Sequence, residues 1–231
     1  MLARRSYPKD KVGLLKNLIE RSGVREYCSR CLRCERWGGN VILMIIDASF
    51  TSLGLSYFDV VVPKVIEFRE KMVRTSKIKS FEDLINAPME DLKKIWKNAR
   101  SWNVAKEIAK YLNKLSKEKN LSEKEAFVYW AKNSTLDGWK DDGIGKIRGV
   151  GINTYQYLRM MGGIDTVMPD KIVRKVLKGI LGEIPSDDIE FIRYIEQIAR
   201  ENGLRAIDIC WATWFVNSNV LEKYGKYLPE I

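Results

Sequence analysis

Ile147-Arg148-Gly149-Val150-Gly151-Ile152-Asn153-Thr154, one helix-length segment, and then Val167-Met168-Pro169-Asp170-Lys171-Ile172-Val173-Arg174 is the stretch from which the chain is best read. Two glycines straddling Val150 predict a sharp hairpin, since glycine admits both positive φ and close approach of a neighbour to the backbone. The helix that follows, beginning near Asn153, has free amides and the positive end of its dipole at the hairpin, a combination suited to a phosphate. Asp170 precedes Ile172, Val173, Val176, Leu177 and Ile180, an amphipathic helix, and sits where an N-cap is preferred. Taken singly, each feature has an ordinary structural explanation. In this order they suggest an anion-holding turn followed by a carboxylate available for chemistry.

Working outward, helical periodicity dominates. Val12, Leu14, Leu15, Leu18 and Ile19 mark a first helix ending near Gly23, and Gly38-Gly39 breaks the chain. Val41–Ile46 leads into Asp47-Ala48-Ser49-Phe50-Thr51-Ser52, a buried helix with a polar end. Val60–Met72 reads as helical with Pro63 near its start, although its β-branched beginning also fits a short strand. Ser80 and Ser122 open helices with acidic residues three positions on, a capping-box pattern. The apolar residues Leu92, Ile95, Trp96 and Ala99 continue one stripe, and Ala105–Leu112 forms the next. Asn133–Gly145 is polar and reads as a loop. Gly162-Gly163 stops the helix after the hairpin, Pro185 starts a further one, and Leu204–Leu221 closes the set. The expected fold is all-α.

The chain has 231 residues, 45% hydrophobic and 30% charged, with a formal charge of +10. This is enough to bury a sizeable core, and the charge favours a polyanionic partner. Histidine is absent, which excludes a Ser-His-Asp or Cys-His nucleophile and any His-ligated metal. No segment reads as a signal peptide, and Val41–Ile46 is too short to cross a bilayer. An intracellular, nucleoid-associated monomer without a membrane partner is expected. Abundant Lys, Glu and Ile with only two glutamines, Gln156 and Gln197, suggest a heat-adapted source.

Cys28-x-x-Cys31-x-x-Cys34 has spacings suited to thiolate ligation of zinc or an iron–sulfur cluster, with Cys210 the one cysteine left as a fourth ligand. The ordinary alternative is a set of buried thiols. Arg25, Arg30, Arg33 and Arg36 around them are also candidates for DNA contact.

The hairpin, helix and aspartate together resemble the helix-hairpin-helix superfamily of base-excision DNA glycosylases, typified by endonuclease III. Ile147-Arg148-Gly149-Val150-Gly151 corresponds to that family's Leu-Pro-Gly-Val-Gly type of hairpin, and Met168-Pro169-Asp170 to the aspartate opening the next helix. The likeness extends over roughly residues 41 to 215, by order and spacing more than identity. It implies two helical subdomains, 41–163 ending in the hairpin and 1–40 joined with 164–231, with double-stranded DNA carrying a damaged or mispaired base in the cleft between them. It further implies that Asp170 is catalytic, and that Gly149, Val150, Gly151, Asn153, Thr154 and Lys146 hold the phosphate backbone. Asp47, Ser49 and Phe50 would line the base pocket, and a monovalent cation would rest on the hairpin carbonyls. In that fold the N- and C-terminal segments pack together, which would bring Cys210 towards the other cysteines.

Two positions depart from the family. Arg148 replaces the hairpin proline, and Asn153 stands where bifunctional members carry a Schiff-base lysine. A monofunctional hydrolase is therefore expected, with Lys140 or Lys146 as the alternative nucleophile of a lyase. Two readings from other classes stand beside it. One is a non-catalytic DNA-binding module that uses the hairpin alone. The other is an interaction protein organised by a metal on the cysteines.

Overall fold

Every residue from Val41 to Phe50 is buried, so the helix they form, α3 (Val41–Thr51), has no solvent face. A helix apolar on all sides has to be surrounded. The computed structural model describes residues 9–51, 54–229 and 231, and among these it contains helices and turns with no strand. Ser52, placed by sequence at the end of α3, lies outside the described residues.

The helices before α3 are α1 (Lys9–Ser22) and α2 (Arg25–Leu32). After it come α4 (Val62–Phe68), α5 (Phe81–Asn86), α6 (Met89–Ile95), α7 (Ala99–Lys119), α8 (Glu123–Asn133) and α9 (Ile152–Met161). The last four are α10 (Lys171–Leu181), α11 (Asp188–Glu201), α12 (Ala206–Asn217) and α13 (Val220–Tyr224). The described chain divides into two compact units: residues up to Ser29 with Asp165–Lys226, and Arg30–Ile164 with the C-terminal residues from Tyr227.

Arg30–Ile164 is built around α3, which packs against α7, α9, α4 and α8. Phe50 at its end is held between Trp96, stacked at 4.6 Å between ring centroids, and Trp102, edge-on at 4.9 Å. The Trp102 indole N–H donates to the Trp96 carbonyl at 2.7 Å. Trp96 is extended rather than helical, and Asn98 starts α7 by accepting from the Ser101 amide. The apolar stripe Leu92–Ala99 is therefore two helices meeting at a corner, because Asn98 offers a cap that a continuous helix could not use. Both capping boxes are present, at Ser80 with Asp83 and at Ser122 with Glu125. Val60–Met72 is helical throughout, with wide five-residue turns on either side of α4 and no strand at its β-branched start.

The other unit repeats the principle on a smaller scale. Its central helix is α12, buried from Ala206 to Thr213, and α1, α10, α11 and α13 pack around it. Asn219, in the left-handed conformation, separates α12 from α13 where sequence periodicity ran on to Leu221. No helix is long and apolar enough to cross a membrane among the described residues.

Candidate nucleic-acid interface

The hairpin is framed by a partly buried aspartate, Asp142. Asp142 accepts the Ile144 and Gly145 amides at 2.8 and 3.2 Å, and the Trp130 indole N–H donates to both its oxygens at 3.0 and 3.2 Å. The Lys146 amide then closes one helical turn on the Asp142 carbonyl, and the Val150 amide closes the next turn on Ile147 at 2.9 Å. Gly149 takes φ +110°, and a β-carbon there would lie 2.7 Å from Val104 Cγ2 on α7. Both the conformation and the close approach require glycine. Gly145 is similarly pressed against the Trp139 carbonyl.

Gly151 caps α9 in an extended conformation without a side-chain bond, so the first-turn amides, those of Ile152 and Asn153 among them, keep their donors for another partner. Gly151 and Asn153 are exposed, whereas Val150 and Thr154 are buried. Lys146 and Arg148 are exposed beside the turn. Arg100, which sequence reading passed over, brings its guanidinium Nε to 3.4 Å from where a Gly149 β-carbon would sit. The contact spans forty-nine residues and left no local signal. Lys140 is exposed, with its ammonium 5.8 Å from the centroid of the Trp139 ring.

Asp170 is the N-cap of α10. One of its oxygens accepts the Ile172 amide at 2.7 Å, and among the described residues the other makes no bond. The turn carrying it is fixed from two sides. The Met168 amide donates to Cys210 Sγ at 3.5 Å. Arg174 donates to the Pro169 and Pro185 carbonyls and to Asp188, and lies over the Phe191 ring at 4.3 Å. Asp170 is half-buried, so water reaches its carboxylate.

Asp47, Ser49 and Phe50, expected around an extruded base, are all fully buried in α3. Asp47 is the centre of a polar knot. Its Oδ2 accepts from Tyr157 at 2.7 Å, the Trp37 indole at 2.8 Å, Tyr57 at 2.9 Å and Arg36 Nη2 at 3.5 Å. Arg36 Nη2 also donates to the Tyr57 and Tyr157 hydroxyls at 2.8 and 3.2 Å. Burial pushes the Asp47 carboxyl above its ordinary range, with Arg36 opposing the rise. Burial likewise pushes up the Tyr57 hydroxyl. Arg36 is wholly inaccessible, so the suggestion that it touches DNA is corrected: its charge is neutralised inside by the carboxylate eleven residues on. Trp37 adopts φ +53°, a left-handed conformation unfavourable to a side chain, and its indole bond to Asp47 offsets the cost.

The four cysteines are buried thiols, not disulfides. Cys28 donates to the Ile207 carbonyl at 3.6 Å, and Cys34 approaches Met44 Sδ at 4.0 Å. Burial holds the Cys31 and Cys34 thiols up at about 12 and about 11. Among the described residues no group of three or more Cys, Asp or Glu side chains is arranged to hold a metal ion. The cysteines therefore form no zinc or iron–sulfur site among the described residues. The Ile147 carbonyl, a candidate for the hairpin cation, already accepts the Val150 amide.

No protein-family model, curated protein or solved structure matches the chain.

Proposed function

We propose that the protein is a DNA N-glycosylase that extrudes a damaged or mispaired base and hydrolyses its bond to the sugar. The observation carrying this reading is the order of two prepared groups along the chain. A glycine hairpin opens onto the start of α9, which has no side-chain cap, and after that ten-residue helix and a short segment comes Asp170, with one carboxylate oxygen unengaged among the described residues. The +10 charge supports a polyanionic partner.

In this reading the hairpin amides and Arg100 hold a phosphate without reading sequence. The target nucleotide leaves the stack at a cost of a few kcal/mol, least for a damaged or mispaired base. Breaking the glycosidic bond builds positive charge on the sugar. Asp170 stabilises that charge and takes a proton from the attacking water, and the base departs with the bonding electron pair. Asn153 has no amine to form a Schiff base, so the reaction ends at hydrolysis.

The test is excision from duplexes each carrying uracil, thymine opposite guanine, oxidised guanine or alkylated adenine, with strands resolved after alkali. Release from one duplex, reduced about 10²- to 10⁴-fold in Asp170→Asn with duplex binding retained, is the expected result. Unimpaired excision by the variant removes Asp170 from the mechanism. Borohydride is expected to trap no enzyme–DNA adduct; efficient trapping would assign a lyase to Lys140 or Lys146. Binding without any excision would leave a non-catalytic DNA-binding module.

A further inference from the structure

A groove of about 560 Å³ runs along the flank of α7 beside the hairpin turn. Tyr111 and Ile147 line it, and Gly143 lies so flat on the Tyr111 ring that a β-carbon there would stand 2.0 Å from the ring edge. The groove is thus continuous in sequence and space with Ile147–Gly151. Its outer wall is Lys110, Lys114 and Lys117, all largely exposed. With Arg100 near the start of α7, these four cations fall within about 100° of arc on one helix face and extend over about 25 Å of its length.

Their existing partners are weak. Lys110 stands 3.9 Å from Glu107, Lys114 3.7 Å from Glu118, and Lys117 3.2 Å from Glu82 across an exposed surface. Lys94, by contrast, meets Asp91 at 2.6 Å. Exposed pairs at the longer distances contribute little and exchange readily for a stronger anion. Glu107 and Glu118 also line the groove and reduce its net charge, so a weakly or diffusely charged ligand gains little there. A chain of closely spaced phosphates gains more, because a DNA strand presents one charge per about 3.4 Å of axis, or roughly seven along this face.

We propose that this face of α7 is a second backbone-binding track, which carries the DNA strand leaving the hairpin, with phosphates on Lys110, Lys114 and Lys117 and the sugar edge against Tyr111. The inference rests on the nucleic-acid reading of the hairpin but not on any catalytic role of Asp170.

The test is the salt dependence of binding to an undamaged labelled duplex by anisotropy. The full chain is compared with the triple variant Lys110→Gln, Lys114→Gln, Lys117→Gln. A control, Lys71→Gln, Lys93→Gln, Lys94→Gln, makes the same charge change elsewhere on exposed positions. Each phosphate contact removed lowers the slope of log K against log salt by about one, so the track variant should lose about three while the control keeps the full slope. Binding with an unmoved slope, or an equal loss in the control, would overturn the track and leave the hairpin reading standing. If the unaltered chain binds no duplex at any salt, the nucleic-acid reading fails and the track with it.

Discussion

Asp47 and Asp170 are the same side chain in opposite situations. Asp47 is sealed inside α3's unit with four donors converging on one oxygen. Asp170 stands at the start of α10, half-buried, with one amide bond and, among the described residues, no partner on its other oxygen. A carboxylate surrounded by donors fixes the elements that supply them: here α3, α9, the turn at Tyr57 and the segment at Arg36. A carboxylate left half-engaged retains capacity for a reacting group. Burial and bonding, rather than residue type, separate the scaffold aspartate from the candidate for chemistry.

The largest expected effect comes from removing the scaffold member. Asp47→Ala leaves Arg36 buried without its counter-charge and should destabilise the fold by about 3–5 kcal/mol, read as a fall in denaturation midpoint. A loss below about 1 kcal/mol would mean the knot contributes little, and the contrast with Asp170 would collapse.

Next in size is Gly149→Ala. Its φ of +110° and the 2.7 Å approach to Val104 should together cost about 1–3 kcal/mol. Duplex affinity should fall as well if the hairpin holds DNA. Loss of stability with affinity unchanged would detach the turn from binding.

Asp170→Asn should leave stability within about 0.5 kcal/mol, since asparagine caps a helix as well as aspartate does. A larger loss in thermal denaturation would make Asp170 a structural residue like Asp47.

The last effect is confined to alkaline pH. The Cys31 thiol ionises near 9.0 when exposed and near 12 when buried, so above pH 9 the unfolded chain releases a proton that the folded chain keeps. Stability therefore falls as pH rises through this window. Cys31→Ala should flatten the decline, measured by denaturant titration at successive pH values; an unchanged decline would place the titrating group elsewhere.

Much of the helical frame was legible because its signals are local. Ser80 and Ser122 announced their helices through caps, and α3 announced its burial by having no polar side. Gly149 marked a turn because little else fits there, whereas Gly151, extended and with open space where a β-carbon would go, does not require glycine. What was not legible depends on partners distant in sequence. Arg36 sits in a basic, cysteine-bearing segment and read as a surface residue, because Tyr57 and Tyr157, twenty-one and 121 positions away, gave no sign of enclosing it. Cys210 read as a metal ligand or a core thiol, and its bond to the Met168 amide just ahead of Asp170 is tertiary. The corner at Trp96 was hidden by an apolar stripe that runs unbroken through it.

The most direct measurement is single-turnover excision by the unaltered chain, Asp170→Asn and Asp47→Asn, side by side on the duplex found to be cleaved. The account predicts that Asp170→Asn loses base release by about a hundredfold or more while still binding DNA, and that Asp47→Asn, where it remains folded, retains base release. Activity lost with Asp47 and kept with Asp170 would reverse the two roles and contradict it.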